Sequence, residues 1–557
     1  MKRGNIKCFI IMVLLISCVS TNGVSQDVSP QTAQTFLDRG ILSATEGDFQ
    51  IAIADFTEAI KLAPNMITAY ILRGRALHAS VSRITSIYEN FSGFAFISGQ
   101  GQLPTERIQI IESAILDYDQ AIRLDANCAE AYYDRGRAYR ELRNYTQAIS
   151  DYTEAIRLNP NNVRAYNNRG LAYSYLGNHT QAISDYTEAI RLDPNYAGVY
   201  YDRGVAYSEL RNYAQAISDY TEAIRLAPNY AYAYNNRGVA YSELRNYALA
   251  ISDYTEAIRL VPNDAMAYNN RGLAYSDLGN HTQAISDYTE AISLEPNYAR
   301  AYYVRGIAYF ELKNYTQAIS DYTETIRLAP NYTEAYLFRG DAYSALGNHA
   351  QAISDYTQAI KLDANYTEAY YNRGVAYYEL RNYTQAISDY TQAIRLEPNN
   401  AGIYIARGSA YSALRNYTQA ISDYTEAIRL NPNYAMAYNN RGTAYSNLRN
   451  YTQAISDYTQ AIRLVPNDAG VYYNRGTAYS ALRNHTQAIS DYTEAIRLNP
   501  NDAMAYNNRG NAYSDLRSYA QAISDYNQAL IIDPNYTLAK ENLERVRKME
   551  SLERENI

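Results

Sequence analysis

The 557 residues include no tryptophan, only three cysteines and only five histidines. Cys8 and Cys18 fall close to the N-terminus, so Cys128 stands alone in the body of the chain and no internal disulfide framework is available. No Cys or His pair has the spacing of a zinc site, and no glycine-rich phosphate loop occurs, so neither a metal nor a nucleotide cofactor is expected. Excess positive charge is also lacking. The formal net charge is −8, and acids and bases alternate along the chain without a basic stripe, which argues against a nucleic-acid partner. Long hydrophobic runs are missing too: the apolar stretch Cys8–Ile16 is too short for a permanent membrane span.

What the chain has is a period. Pro160, Pro194, Pro228, Pro262, Pro296 and Pro330 recur every 34 residues, and Pro398, Pro432, Pro466, Pro500 and Pro534 continue the series. A period of this size means stacked supersecondary units. In the unit Ala129–Asn162, Tyr132, Gly136 and Tyr139 share one helical stripe, and Ala148, Ile149, Tyr152, Ala155 and Ile156 form the apolar face of a second helix. Arg143-Asn144-Tyr145 lies between them, where an asparagine suits a left-handed turn residue or a helix cap. Gly177, Gly279 and Gly347 replace the arginine in three units. Pro160 ends the second helix, because proline cannot continue a helix interior.

The aromatic–Gly–Tyr…Ala–aromatic–Ala–Pro pattern of Tyr132, Gly136, Tyr139, Ala148, Tyr152, Ala155 and Pro160 resembles the tetratricopeptide repeat. Tyr132 stands where that family often has tryptophan, and Arg135 where it usually has an aliphatic residue. The resemblance implies an all-α fold: a right-handed superhelical solenoid of antiparallel helix-pair repeats, with the first helices lining a concave groove. Laid end to end, the units run Ala33–Met66, then Ile67–Cys128 with 28 extra residues between Ser80 and Ser113, then twelve uninterrupted copies from Ala129 to Tyr536, fourteen in all. Residues 537–557 read as a capping helix, with Leu538, Leu543, Val546, Met549 and Leu552 on the side facing the last unit. The insertion, rich in Phe91, Phe94, Phe96 and Ile97, is expected in the turn of the second unit. There it either folds onto the adjacent helices or serves as a binding loop.

The first 23 residues read as a secretory signal, with Lys2, Arg3 and Lys7 ahead of the apolar run, and residues 24–32 as a linker. Leu15-Ile16-Ser17-Cys18 also resembles a bacterial lipobox, which makes Cys18 a lipidation candidate and a lipid anchor the expected membrane contact. The expected location is therefore the periplasm or the cell envelope.

Every unit carries arginine at the place of Arg135 and aspartate at that of Asp151, Arg305 and Asp321 among them. Their invariance points to partly buried structural ion pairs. Four histidines, His179, His281, His349 and His485, occupy one turn position in non-adjacent units. Stacked units are ~10 Å apart, so these rings cannot share a metal ion. The 62 tyrosines are mostly core residues by spacing. One first-helix position varies, reading Tyr133, Asn167, Tyr201, Asn235, Asn269, Tyr303, Leu337, Tyr371, Ile405, Asn439, Tyr473 and Asn507. In the family this position faces the groove, so the resemblance implies a Tyr/Asn surface suited to extended peptides, or alternatively to glycans or an envelope polymer. The expected role is a non-enzymatic scaffold for protein or peptide ligands. An accessory subunit of an enzyme encoded elsewhere is a further alternative.

Overall fold

In the reference unit, helix Ala129–Glu141 is followed after a short turn by helix Tyr145–Leu158. The turn is a Schellman motif. Arg143 N–H donates to the Arg140 carbonyl at 2.9 Å, and Asn144 N–H reaches the Tyr139 carbonyl at 2.8 Å. The left-handed residue is Arg143, with φ of 59°, while Asn144 has φ of −84° and caps the next helix by accepting from Gln147 N–H. The asparagine is therefore the cap only, and the arginine carries the backbone strain. Gly177, Gly279 and Gly347 take the same conformation at φ of 75° to 77°. The second helix closes on Asn159 N–H bonding to the Ala155 carbonyl, just before Pro160.

This computed structural model describes residues 30–89 and 104–555. Among them are twenty-nine helices and no strand. They fall into two compact units, one ending at Leu294 and the other starting at Glu295. Within each, consecutive helices pack as pairs, and each pair packs on the next. The core of a pair is small-on-large. Tyr152 shares a fully buried stripe of the second helix with Ala148 and Ala155, and a Cβ on Gly136 would sit 2.9 Å from its Cε1, so only glycine lets the two backbones approach this closely.

Two sequence expectations need correction. The insertion is not confined to a turn, because it lengthens both flanking helices. Ile67–Glu89 has 23 residues and Thr105–Leu124 has 20, against 13 and 14 in the reference unit. Phe91, Phe94, Phe96 and Ile97 lie outside the described residues, as do the leader and Cys18. The last helix, Thr537–Glu555, buries Leu543 and Val546 against Ala522 and Tyr526. Leu538, in the first turn of this helix, and Met549 and Leu552, beyond the buried Val546, are exposed, however. No helix among the described residues is long and apolar enough to cross a membrane.

Candidate functional site

The arginine position builds a four-way junction. Arg169 bonds Asp185 through Nε–Oδ2 at 2.8 Å and Nη2–Oδ1 at 2.7 Å. Its Nη1 donates to Thr153 Oγ1 of the preceding pair at 3.0 Å, and its guanidinium lies 5.7 Å from the Tyr166 ring centroid. The Thr153 hydroxyl spends its own proton on the Ile149 carbonyl, which leaves its lone pairs for the arginine. Arg135–Asp151 at 2.7 Å and Arg305–Asp321 at 2.8 Å repeat the two-point contact. Burial pushes the Asp151 and Asp321 carboxyls up, against the hydrogen bonds and charge of their arginines. The threonine arm was not foreseen from sequence, since it joins residues 16 apart across a pair boundary.

The variable first-helix position lies deeper than the Tyr/Asn surface expected of it. Asn167, Asn235, Asn269 and Asn507 are only 8%, 5%, 1% and 3% exposed, and Leu337 and Ile405 are buried as well. Tyr133, Tyr201, Tyr303, Tyr371, Tyr473 and Asn439 are half-buried. Tyr133, Tyr201, Tyr371 and Tyr473 stack obliquely on the core tyrosine of their own pair, for example Tyr371 on Tyr390 at 5.9 Å. The buried amides therefore form no free surface: Asn235 and Asn507 accept in a ladder between pairs, whereas Oδ1 of Asn167 and of Asn269 has no hydrogen-bond partner among the described residues. Asn168 Nδ2 donates to Tyr133 Oη at 3.0 Å, Asn236 to Tyr201 at 3.0 Å and Asn508 to Tyr473 at 3.0 Å. Asn270 donates to Asn235 Oδ1 at 3.2 Å, Asn474 to Asn439 at 3.2 Å and Asn542 to Asn507 at 3.0 Å. The donor sits 35 residues on from its acceptor. The doublets Asn235-Asn236, Asn269-Asn270 and Asn507-Asn508 are the trace this ladder leaves in the sequence.

Around the ladder the same face carries unusual charges. Burial pushes the Asp202 carboxyl up to about 7, against the pull of the Asn167 amide and Arg140. It pushes Asp341 up to about 6, where Glu368 raises it further and the Tyr356 hydroxyl and Asn372 amide pull it down. Beside the insertion, burial would raise Glu141, but His78 and then Arg107 hold it down at about 2. Arg107 Nε reaches Glu141 Oε1 at 3.2 Å, and His78 Nε2 pairs with Oε2 of the same carboxylate. These contacts tie the lengthened helix to the next pair. Asp134, also buried, is bracketed by Arg75 at 2.6 Å and Arg137 at 3.3 Å. Among the described residues no group of three His, Cys, Asp or Glu side chains is arranged to hold a metal ion, and Cys128 forms no disulfide.

Stacked helix pairs joined by this repeating junction define a helical-repeat array. The chain belongs to the tetratricopeptide repeat family: models described as Tetratricopeptide repeat match residues 111–197, 197–332, 367–400, 405–469 and 473–551, and one described as TPR repeat matches 340–381. Similar solved structures include the APC/C hetero-tetramer Cut9-Hcn1, with 17% identity over 84% of this chain and 98% of that chain, at a TM-score of 0.36. MamA has 29% identity over 31% of this chain and 94% of its own, at 0.29. A tetratricopeptide repeat protein from Parabacteroides merdae has 20% identity over 44% and 98%, at 0.35. A comparison with curated proteins finds no match.

Proposed function

We propose that this chain is a non-enzymatic docking scaffold that binds protein or peptide segments on the face of its first helices. The observation that carries the proposal is the division of labour within each unit. The polar groups that repeat, Arg, Asp and Thr, are consumed in the inter-helix junction. The residues that change from unit to unit lie on the first helices, where Val239, Tyr232, Met266, Met436 and Met504 are exposed. A rigid backbone with variable, partly apolar side chains along one face suits an extended ligand.

The test is site-specific photo-crosslinking from Val239, on the first helix Ala231–Glu243, and from the exposed Arg225 on the second helix Tyr213–Leu226. Partner adducts should form from Val239 and be competed by peptides. Equal adducts from both sites would sink the proposal, and competition by soluble glycans alone would favour a polymer-binding surface instead.

The reading extends to export. Lys2, Arg3, Lys7 and the run Cys8–Ile16 support a leader, and Cys18 supports a lipid anchor in the envelope. Clickable palmitate should label the wild type and not Cys18→Ser; equal label in both rules the anchor out.

A further inference from the structure

We propose that the face shared by helices Ala299–Glu311, Thr333–Ala345 and Thr367–Glu379 is a receptor for a peptide segment bearing lysine or arginine, whose cation seats among Tyr303, Tyr332 and Tyr366 and against Asp341, Glu334 and Glu368. This rests on the reading of the first-helix face as a peptide-docking surface and names the chemistry of its ligand there.

At this place the array departs from its own pattern. Asp341 occupies the position held by Ile307 and Val375 in the flanking first helices. Val304 and Phe338 occupy the position at which Asn168, Asn236 and Asn508 supply the donor of the ladder. Tyr303 therefore loses the donor that Tyr133, Tyr201 and Tyr473 have, and meets the Phe338 ring edge-on at 6.0 Å and the Tyr332 ring at 4.8 Å. Beneath them the fully buried Tyr322 hydroxyl has no hydrogen-bond partner among the described residues, and its ring packs 6.1 Å from Tyr303 and 6.2 Å from Phe338. In neighbouring pairs the equivalent hydroxyl bonds Asp341, Ser409 or Thr443.

Asp341, Glu334 and Glu368 form no ion pair among the described residues. Tyr356 Oη and Asn372 Nδ2 both donate to Asp341 Oδ1, at 2.8 and 2.9 Å, while no donor among the described residues reaches Oδ2. Glu334 and Glu368 are exposed on the same face. The guanidiniums nearby in sequence, Arg339 and Arg373, are committed to Asp355 and Asp389. Arg300 is exposed and acts on the Tyr332 hydroxyl. A half-buried carboxylate without a counter-ion, set in a wall of tyrosine rings, matches a side-chain cation twice over, through charge and through the ring faces. A metal ion asks for several converging oxygens, and no group of three carboxylates among the described residues is arranged to hold one. The first-helix face of the N-terminal unit has different chemistry at the Asp341 position, with Arg75 and Arg137 followed by Leu171, Val205, Val239 and Leu273.

The test is fluorescence anisotropy with the full chain and two labelled nonapeptides, one alternating glycine with lysine and one alternating glycine with glutamate. Salt is held at ~0.1 M, where exposed charges more than ~10 Å apart are largely screened. The lysine peptide should bind at least tenfold tighter than the glutamate peptide. The triple variant Asp341→Asn, Glu334→Gln, Glu368→Gln should lose that preference, while Glu209→Gln, Asp277→Asn, Glu290→Gln, which removes the same number of exposed or half-buried charges elsewhere, should keep it. Asparagine at 341 can still accept both donors, so if the triple variant melts early the single Asp341→Asn gives the readout. A preference that survives in the acid-site variants, or is lost equally in the control, overturns the proposal. Equal binding of both peptides that is weakened by Tyr332→Ala with Tyr366→Ala overturns the cation assignment and leaves the docking face standing. Binding of neither peptide overturns both.

Discussion

Arg305 and Asp321 meet in a two-point contact, Nε on Oδ2 and Nη2 on Oδ1, both at 2.8 Å, with the arginine also 5.6 Å from the Tyr302 ring centroid. Removing the arginine leaves a carboxylate that is almost fully buried. Arg305→Ala should cost about 3–5 kcal/mol, read as a lower midpoint in guanidinium unfolding. Arg327→Ala breaks an exposed pair with Glu324 and should stay within about 1 kcal/mol of wild type. Equal effects would show that the Arg305 junction carries no special weight.

The buried core tyrosines differ in what their hydroxyls reach, and phenylalanine substitution should separate them. Tyr356→Phe deletes a donor to Asp341 and should destabilise by about 1–2 kcal/mol. Tyr322→Phe removes a hydroxyl without a partner and should be neutral or stabilising. Thermal melts of the two variants side by side decide the matter; a loss at Tyr322 as large as at Tyr356 contradicts the geometry.

Arg415 holds φ of 58° in the turn before its second helix, a conformation that costs a side-chain-bearing residue about 1–2 kcal/mol. Gly347 adopts the same turn without that penalty. Arg415→Gly should raise stability by about 0.5 kcal/mol once the extra freedom of the unfolded glycine is subtracted, whereas Arg415→Val should lower it by about 1 kcal/mol or more. Chemical denaturation resolves both signs.

The raised Asp341 carboxyl makes part of the stability depend on pH. Its folded value, about 6, lies above the ordinary 3.8, so the folded chain holds this proton more tightly than the unfolded chain does. The contribution is complete below about pH 4, is lost as pH rises to about 6, and is flat above. Asp341→Asn has no such loss. It should match wild type near pH 4 and exceed it at pH 7–8 by on the order of 2–3 kcal/mol. Unfolding free energies measured across that window test the slope; a constant difference between the two proteins would contradict it.

The helix pairs were legible because the period of 34 aligns the same apolar spacing and the same terminating proline in unit after unit. The partnership of Arg135 with Asp151 was legible for a similar reason, since both recur at fixed separation. The turn was read less well. Asparagine suits either the left-handed position or the cap, and the Schellman hydrogen bonds place Arg143 at the first and leave Asn144 to cap. The variable Tyr/Asn position was identified, but its exposure was not. Whether Asn269 is exposed or buried depends on how closely one pair stacks on the next, and no single unit carries that distance.

By itself the sequence determined the unit: its length, its two helices, its core stripe and the residues that recur. Those follow from local periodicity and propensity, which each 34-residue segment carries complete. Tertiary structure decided what the repeats do to one another. It assigned Thr153 to Arg169, Asn236 to Tyr201 and Asn372 to Asp341, because each of these contacts joins separate pairs and exists only once the pairs are stacked. Among the described residues it also left the Tyr322 hydroxyl without a partner and Asp341 without a counter-ion, since burial and orphaned hydrogen-bonding groups belong to packed surfaces and have no signature in any single unit.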